Sequence, residues 1–365
     1  MKIDFMEIIE LDIPFRKSFE HHSAKRFKMQ SVMVIVSAGK RKGYGEGCPR
    51  EYVTNESIAS AIKFVSEIKT AVLREVTSLI DLKQFKINNQ SAIKENPAAW
   101  CAVELAILDL LATNNRCSVE KLLDLPELQG TYKYTAIIGA GSFSHFAANV
   151  DDHIAWGFND FKIKITGDLS LDKKKLLYVR EKSHQCRVRI DANNLWDSED
   201  TAINYIRQLP YEVMGIEEPL VERSISKLKN FSEKINTRII LDESFNSLEQ
   251  FDELLSCQKH FILNLRVSKL GGLLNTLQIA RKAGEEGFDL IIGAQVGESS
   301  ILTRAALCAA AGIKNKLIAM EGAYGTLLLE EDLIKTPLMF KHGGLLTISA
   351  FELLPHGFGL GLAKA

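Results

Sequence analysis

The sequence predicts an α/β fold: a (β/α)8-type barrel of the modified TIM kind, preceded by an N-terminal α+β capping domain. Three observations lead there. Eight short Val/Ile/Leu-rich segments recur after residue 130 at steps of about 22 to 28 residues, one βα unit each. Stretches with helical spacing of apolar residues lie between them. The first 130 residues have a different texture, strands and then helices, as a separate lobe would. We therefore expect a capping domain over 1–130, a barrel over 131–336, and a Gly-rich tail, 337–365, that packs back on the cap.

The chain has 365 residues and is 46% hydrophobic, enough for a large barrel core beside an accessory lobe. A formal net charge of −1 gives no reason to expect nucleic acid or an anionic membrane as partner. Six cysteines (48, 101, 117, 186, 257 and 308) include no Cys-x-x-Cys pair. The chain opens on Met1-Lys2-Ile3-Asp4-Phe5, with no apolar leader, and no run of about 18 uncharged apolar residues follows. The expectation is a cytoplasmic protein with reduced, mostly buried thiols, no membrane association and a homo-oligomeric state.

Within the first lobe, Phe5 to Leu11 and Ser31 to Ser37 have strand character. Phe19 to Ala24 between them reads as a polar loop able to reach a distant site. The alternating glycines of Gly43-Tyr44-Gly45-Glu46-Gly47 suggest a turning, close-packed connection. From Thr54 the spacing turns helical, with Thr54 or Asn55 as N-cap. A second helix from about Pro97 to Ala112 is apolar almost all round, so it is expected to be buried between lobes. Glu104 and Asp109 inside it are read as paired or edge-facing acids, and 113–130 reads as a linker.

The candidate barrel strands are 131–139, 159–165, 187–192, 213–218, 238–242, 261–267, 289–294 and 317–321. Helical spacing over Asp172–Ser183, Asp200–Leu209, Leu248–Ser256 and Leu274–Glu286 fills the intervals.

Barrels of this kind carry their chemistry at the C-terminal ends of the strands. The second strand ends in Lys162-Ile163-Lys164, and side chains two apart on a strand share a face. Taken alone, such a pair reads as a solvated face; set side by side in a mouth, each ammonium would make protonation of the other harder. Strand three ends at Asp191, strand four at Glu217 and strand five at Asp242, at intervals of 26 and 25 residues. Three converging carboxylates repel one another, and a hard divalent cation relieves that repulsion. An oxygen-only set without His or Cys favours Mg²⁺, or Mn²⁺, over zinc. Lys269 follows strand six, so Lys164 and Lys269 are expected to flank the metal as two bases, with a substrate carboxylate's α-carbon between them.

The ordered set Lys-x-Lys, Asp-x-Asn, Glu-Glu-Pro, Asp-Glu-Ser and Lys-x-Gly-Gly resembles the enolase superfamily, in the muconate-lactonizing subgroup of the mandelate racemase/muconate lactonizing enzyme family. The resemblance covers nearly the whole chain. It implies a Mg²⁺-dependent enzyme acting on a small-molecule carboxylate, with Asp191, Glu217 and Asp242 as metal ligands, Lys164 and Lys269 as acid/base catalysts and Lys162 as the electrostatic neighbour of Lys164. Glu298 matches the family glutamate after strand seven and would orient Lys269 or the substrate.

The departures bear on the substrate. Dipeptide epimerases of the subgroup carry Asp-x-Asp after strand eight, where this chain has Met320-Glu321-Gly322-Ala323; Glu321 would offer a single counter-charge. Arg266 stands where many relatives have another lysine. Gln295 and Glu298 occupy the place of the dehydratases' histidine, which argues against a His-dependent dehydratase. Asn193 and, from the cap, Arg50 complete the candidate substrate-binding set.

The expected reaction is proton abstraction α to a carboxylate with enediolate stabilisation, in a cycloisomerase or a racemase/epimerase. A β-elimination lyase of the o-succinylbenzoate synthase type, a dipeptide epimerase with altered ammonium recognition, and a metal-binding barrel without turnover are the alternatives.

Overall fold

The computed structural model describes residues 1–21, 24–313, 316–349 and 355–361, with the side chains of 17–25 outside that description. Three strands, β1 (Phe5–Leu11), β4 (Ser31–Ala38) and β5 (Arg41–Gly47), form an antiparallel sheet in the order β1-β4-β5. A hairpin of β2 (Pro14–His21) and β3 (Ala24–Lys28) stands apart from it. The stretch 19–24, expected as a polar loop, instead carries the end of β2 (residues 19–21) and the start of β3 at Ala24, while residues 22 and 23 lie outside the described residues. Helices α1 (Glu51–Thr54), α2 (Ile58–Glu75), α3 (Leu79–Asn88), α4 (Gln90–Glu95), α5 (Pro97–Asn114) and α6 (Val119–Leu122) follow.

The alternating glycines make a strand, not a turn, and the reason is the helix behind it. A Cβ on Gly43, Gly45 or Gly47 would collide with the carbonyl oxygens of Ala106, Ala102 and Ala98, so the backbones of β5 and α5 lie directly against one another. Period two on the strand meets period four on the helix. Helix α5 is long and apolar enough to cross a membrane, but most of it is buried inside the protein. Its acids serve main-chain donors and not cations: Glu104 accepts from Leu274 N at 2.9 Å, and Asp109 from Tyr44 N at 3.0 Å and Phe358 N at 2.7 Å. Helix α2 starts later than its spacing suggested. Its N-cap is Ser57, in a reciprocal capping box with Ser60, while Asn55 has φ 58° and ends α1.

All eight barrel strands form where their spacing placed them: β7 (Ala136–Ile138), β8 (Asp160–Lys164), β9 (Arg187–Asp191), β10 (Ile216–Glu217), β11 (Ile239–Leu241), β12 (Phe261–Leu265), β13 (Asp289–Ile292) and β14 (Leu317–Met320). They pair in parallel in chain order. Tyr134 just before β7 bridges Met320 in parallel, and Thr135 N donates to Met320 O at 2.8 Å, which brings the last strand back to the first. The expected first strand, 131–139, is two strands: β6 (Gly130–Lys133) leaves the barrel and pairs antiparallel with β15 (Leu345–Ile348) of the tail. Helices α7 (Phe143–Ala155), α8 (Leu169–Lys182), α9 (Glu199–Ile206), α10 (Ile225–Ile235), α11 (Phe251–Leu254), α12 (Leu273–Glu285) and α13 (Ser300–Ala311) connect the strands.

One residue from each of β11 to β14 (Ile240, Ile262, Ile291 and Ala319) forms a buried cluster apart from the main core. This is an inner layer of the barrel, and it fixes the parity of every residue above it. Two residues further on come Asp242, Asn264, Gly293 and Glu321; four further on come Arg266 and Gln295. A side chain on Gly293 would collide with Asn264, so the glycine makes room for it.

Candidate active site at the barrel mouth

The strand ends place a ring of buried charge at the mouth. Lys162 and Lys164 both point inward and are buried, so their face is not solvated. Lys164 Nζ donates to Asp191 Oδ2 at 2.9 Å and Asn193 Oδ1 at 2.7 Å. Asn193 holds the other oxygen of Asp191 through its own N–H, 3.0 Å from Oδ1, and reaches that position with φ 45°. Lys162 Nζ donates to Glu217 Oε1 at 3.1 Å and Glu321 Oε2 at 2.6 Å. Beneath them Arg189 ties Glu321 Oε1, at 3.1 Å, to Thr135 and Asp160. This lower layer of Thr135, Asp160 and Arg189 carried no motif, though inward parity on β9 would have singled out Arg189.

The electrostatics differ from mutual depression of the lysine pair. Burial works against the Lys162 ammonium, but Glu217, Glu321 and Asp191 outweigh it and hold its pKa above the ordinary lysine value. Against its own burial, Asp191 is kept low by Lys164 and Lys162. Glu217 is pushed up to about 7 by burial, which Lys162 opposes and Asp191 and Glu321 reinforce. Lys162 is thus a firmly charged strut between two carboxylates.

The sixth strand departs furthest from expectation. Lys269 has no exposed side-chain surface, and its Nζ donates to Asp242 O at 2.5 Å, Phe245 O at 2.8 Å, Asn264 O at 3.0 Å and Asp242 Oδ1 at 3.1 Å. It sits behind the mouth, lacing the ends of β11 and β12 together. The cation facing the mouth from β12 is Arg266, which has the inward parity. Its Nη1 donates to Gln295 Oε1 at 2.9 Å, and Nη2 pairs with Asp242 Oδ2. Burial and the Arg266 guanidinium both pull the Lys269 pKa down, while Glu243, Glu218 and Glu217 favour the ammonium.

The remaining candidates are placed as follows. Glu298 accepts from Gln295 N at 2.6 Å and does not reach Lys269; burial, with Glu46 adding to it, pushes its pKa up to about 8. Arg50 is buried, not a surface residue. It donates to the carbonyls of Gln30 at 2.5 Å, Pro49 at 2.7 Å and Val296 at 2.7 Å, so it clamps the β4–β5 lobe to the loop after β13. Glu321 already serves Lys162 and Arg189 and is no free counter-charge. Glu218 and Glu243 also enter the site. Glu218 has φ 42° and turns its carboxylate onto Asp242 N and Ser244 N, at 2.7 and 2.8 Å.

Asp191, Glu217 and Asp242 are buried at the ends of three adjacent strands, a set suited to a hard divalent cation. Each is turned to a lysine or arginine, so among the described residues no three acidic, His or Cys side chains stand at mutual metal-ligand spacing. Beside them the Glu243 Oε2 oxygen is buried and accepts no hydrogen bond among the described residues, whereas Asp242 Oδ2 is held by Arg266 Nη2. The residues fit Mg²⁺ in donor type and burial.

An eight-stranded barrel whose mouth combines inward lysines with one carboxylate on each of three successive strands defines a class of proton-abstracting barrel enzymes. Residues 145–363 match the family model described as enolase C-terminal domain-like, and the chain belongs to that family, within the mandelate racemase/muconate lactonizing enzyme subgroup of the enolase superfamily. It is 27% identical to the hydrophobic dipeptide epimerase of Enterococcus faecalis over 75% of this chain and 76% of that one. It is 22% identical to the N-succinyl-L-Arg/Lys racemase of Bacillus cereus over 91% and 90%. It is 27% identical to a chloromuconate cycloisomerase of Pseudomonas putida over 99% and 96%. The crystal structure of the Bacillus racemase superposes with a TM-score of 0.89 at 21% identity, covering 100% of this chain and 96% of that one. That of the Enterococcus epimerase, complexed with Mg and the dipeptide L-Leu-L-Tyr, gives 0.85 at 23%, covering 99% and 100%. These relatives are isomerases, and the chain is an enzyme of the isomerase kind.

Proposed function

We propose that this protein removes a proton α to the carboxylate of a small-molecule substrate, with Lys164 as the base and Asp191, Glu217 and Asp242 as the holders of Mg²⁺, in a racemisation, epimerisation or cycloisomerisation. Residues 131–336 form the catalytic barrel on this reading and 1–130 its cap. The observation that carries it is the buried, inward Lys164, hydrogen-bonded to Asp191 at 2.9 Å, next to carboxylates on the following two strands.

An α C–H beside a carboxylate is too weak an acid to be deprotonated unaided. Bound by those carboxylates, Mg²⁺ (or Mn²⁺) would offset the charge that builds on the substrate carboxylate as the proton leaves. The chain's own groups do the rest. Asn193 and Asp191 hold Lys164 Nζ from two sides, so the neutral amine has one orientation from which to accept the proton. Lys162 keeps Glu217 and Glu321 apart by standing between them. Burial of the ring excludes bulk water from the reacting carbon.

The test is a panel of dipeptides, N-acyl amino acids and muconate-type diacids incubated in D₂O with Mg²⁺ and followed by NMR. At least one acid should exchange or convert with the wild type and none with Lys164→Ala. Conversion that survives in Lys164→Ala sinks the assignment.

A further inference from the structure

The mouth has two sides, and they are not chemically alike. In a closed run of eight strands, β8 and β12 are four places apart, so their ends face each other. Lys164 ends β8. The inward residue just past β12 is Arg266, since parity carries Ile262 and Asn264 inward, and the lysine of that turn is bonded to three main-chain carbonyls behind the mouth. A guanidinium does not give up its proton in water near neutrality. From β12 the side facing Lys164 therefore receives a fixed cation in place of a lysine base.

That same side holds donors with nothing to bind. Gln295 Nε2, Arg266 Nε and Asn264 Nδ2 are all buried without a hydrogen-bond partner among the described residues. The Gln295 orientation is set by its oxygen, which accepts from Arg266 Nη1 at 2.9 Å. Native interiors rarely keep such donors idle. Arg266 Nε and Gln295 Nε2, on two side chains joined through Gln295 Oε1, call for an acceptor brought by something else.

We propose that Arg266 and Gln295 form a subsite for a second acceptor group of the substrate, a carboxylate or acyl oxygen, on the side opposite Lys164, and that proton transfer is confined to the Lys164 face. The second half rests on the reading of Lys164 as the base. The α C–H bond breaks, its proton passes to Lys164 Nζ, and its electron pair delocalises into the adjacent carboxylate. The ammonium so formed returns a proton to the face it left, and Arg266, opposite it, supplies none. Such a site exchanges an α-proton with retention, or closes or opens a ring on one face. It does not invert a stereocentre by passing a proton across, which of the three reactions proposed above leaves cycloisomerisation. The substrate class is a diacid or an N-acyl acid whose second oxygen group lies across the α-carbon from the abstracted proton.

Two measurements on the full-length protein with Mg²⁺ test this. The first is calorimetric binding of succinate to the wild type, Arg266→Gln and the charge-keeping Arg266→Lys. Against the wild type, Arg266→Gln should bind at least about tenfold more weakly, and Arg266→Lys should recover most of the loss. The second is deuterium exchange of separately supplied L- and D-N-succinyl amino acids, where any exchange should proceed with retention. Equal succinate affinity in the wild type and Arg266→Gln, no binding to the wild type, or inversion by the wild type each overturns the proposal. Arg266-dependent binding with no exchange of any acid would instead support the subsite and count against Lys164 as the base.

Discussion

Lys269→Met separates a structural lysine from a catalytic one. The substitution keeps the length and apolar stem of the side chain and deletes only the ammonium. That ammonium supplies Asp242 O, Phe245 O and Asn264 O at 2.5, 2.8 and 3.0 Å, and Asp242 Oδ1 at 3.1 Å, with no exposed surface. Three buried carbonyls would lose a charged donor, at about 1–3 kcal/mol each, offset in part because a buried charge no longer needs desolvating. The net cost should be about 3–5 kcal/mol, as for other buried charges stripped of a partner. Urea unfolding should show a clearly lower midpoint at an unchanged slope. Activity per folded molecule should stay far above that of Lys164→Ala. A Lys269→Met protein with the wild-type midpoint and no activity would refute the reasoning and restore Lys269 as the second base.

Other consequences concern the framework. Glu46 accepts from Ser299 N at 3.1 Å and Ser299 Oγ at 2.5 Å, and burial pushes its pKa from 4.5 up to about 7. A raised carboxyl binds its proton more tightly when folded, so its stabilisation is complete below about pH 4.5 and is lost as pH rises towards 7. Glu46→Gln should remove up to about 3 kcal/mol of that pH dependence, read from unfolding free energies at pH 5 and 7.5. Gly45→Ala should cost about 1–3 kcal/mol or more, because its Cβ meets the Ala102 carbonyl in a backbone-on-backbone contact; a thermal melt checks it. Arg304 donates to both oxygens of buried Glu120, at 2.6 and 2.9 Å, and to Phe358 O at 2.8 Å. Arg304→Met should destabilise by about 3–5 kcal/mol and loosen the tail, measurable as faster proteolysis near residue 358.

The barrel was readable because each of its strands is a short apolar run one βα step from the next, a pattern set by local composition. Its acids were readable for the same reason: Asp191, Glu217 and Asp242 close three such runs. Lys269 departs from its expected place because the Lys-x-Gly-Gly motif lies beyond the strand, where the alternation that turns Lys162 and Lys164 inward no longer holds. Counting in twos from Ile262 selects Arg266 and leaves Lys269 past the strand. The contacts of Arg50 and Glu298 were not legible for another reason. Their partners are the Val296 carbonyl and the Gln295 N–H, and no spacing in the chain encodes which main-chain group a buried side chain will meet. The split of 131–139 into β6 and β7 depends on the tail strand β15, over 200 residues away in the chain and invisible to a local window.

The central claim is that Lys164 takes the α-proton of a carboxylate substrate. The most direct measurement is deuterium incorporation at that carbon, followed by NMR in D₂O with Mg²⁺ for the wild type and Lys164→Ala across the acid panel. Incorporation by the wild type is expected for at least one acid, with a loss of about a thousandfold or more in the variant. Incorporation at comparable rates in both proteins would contradict it.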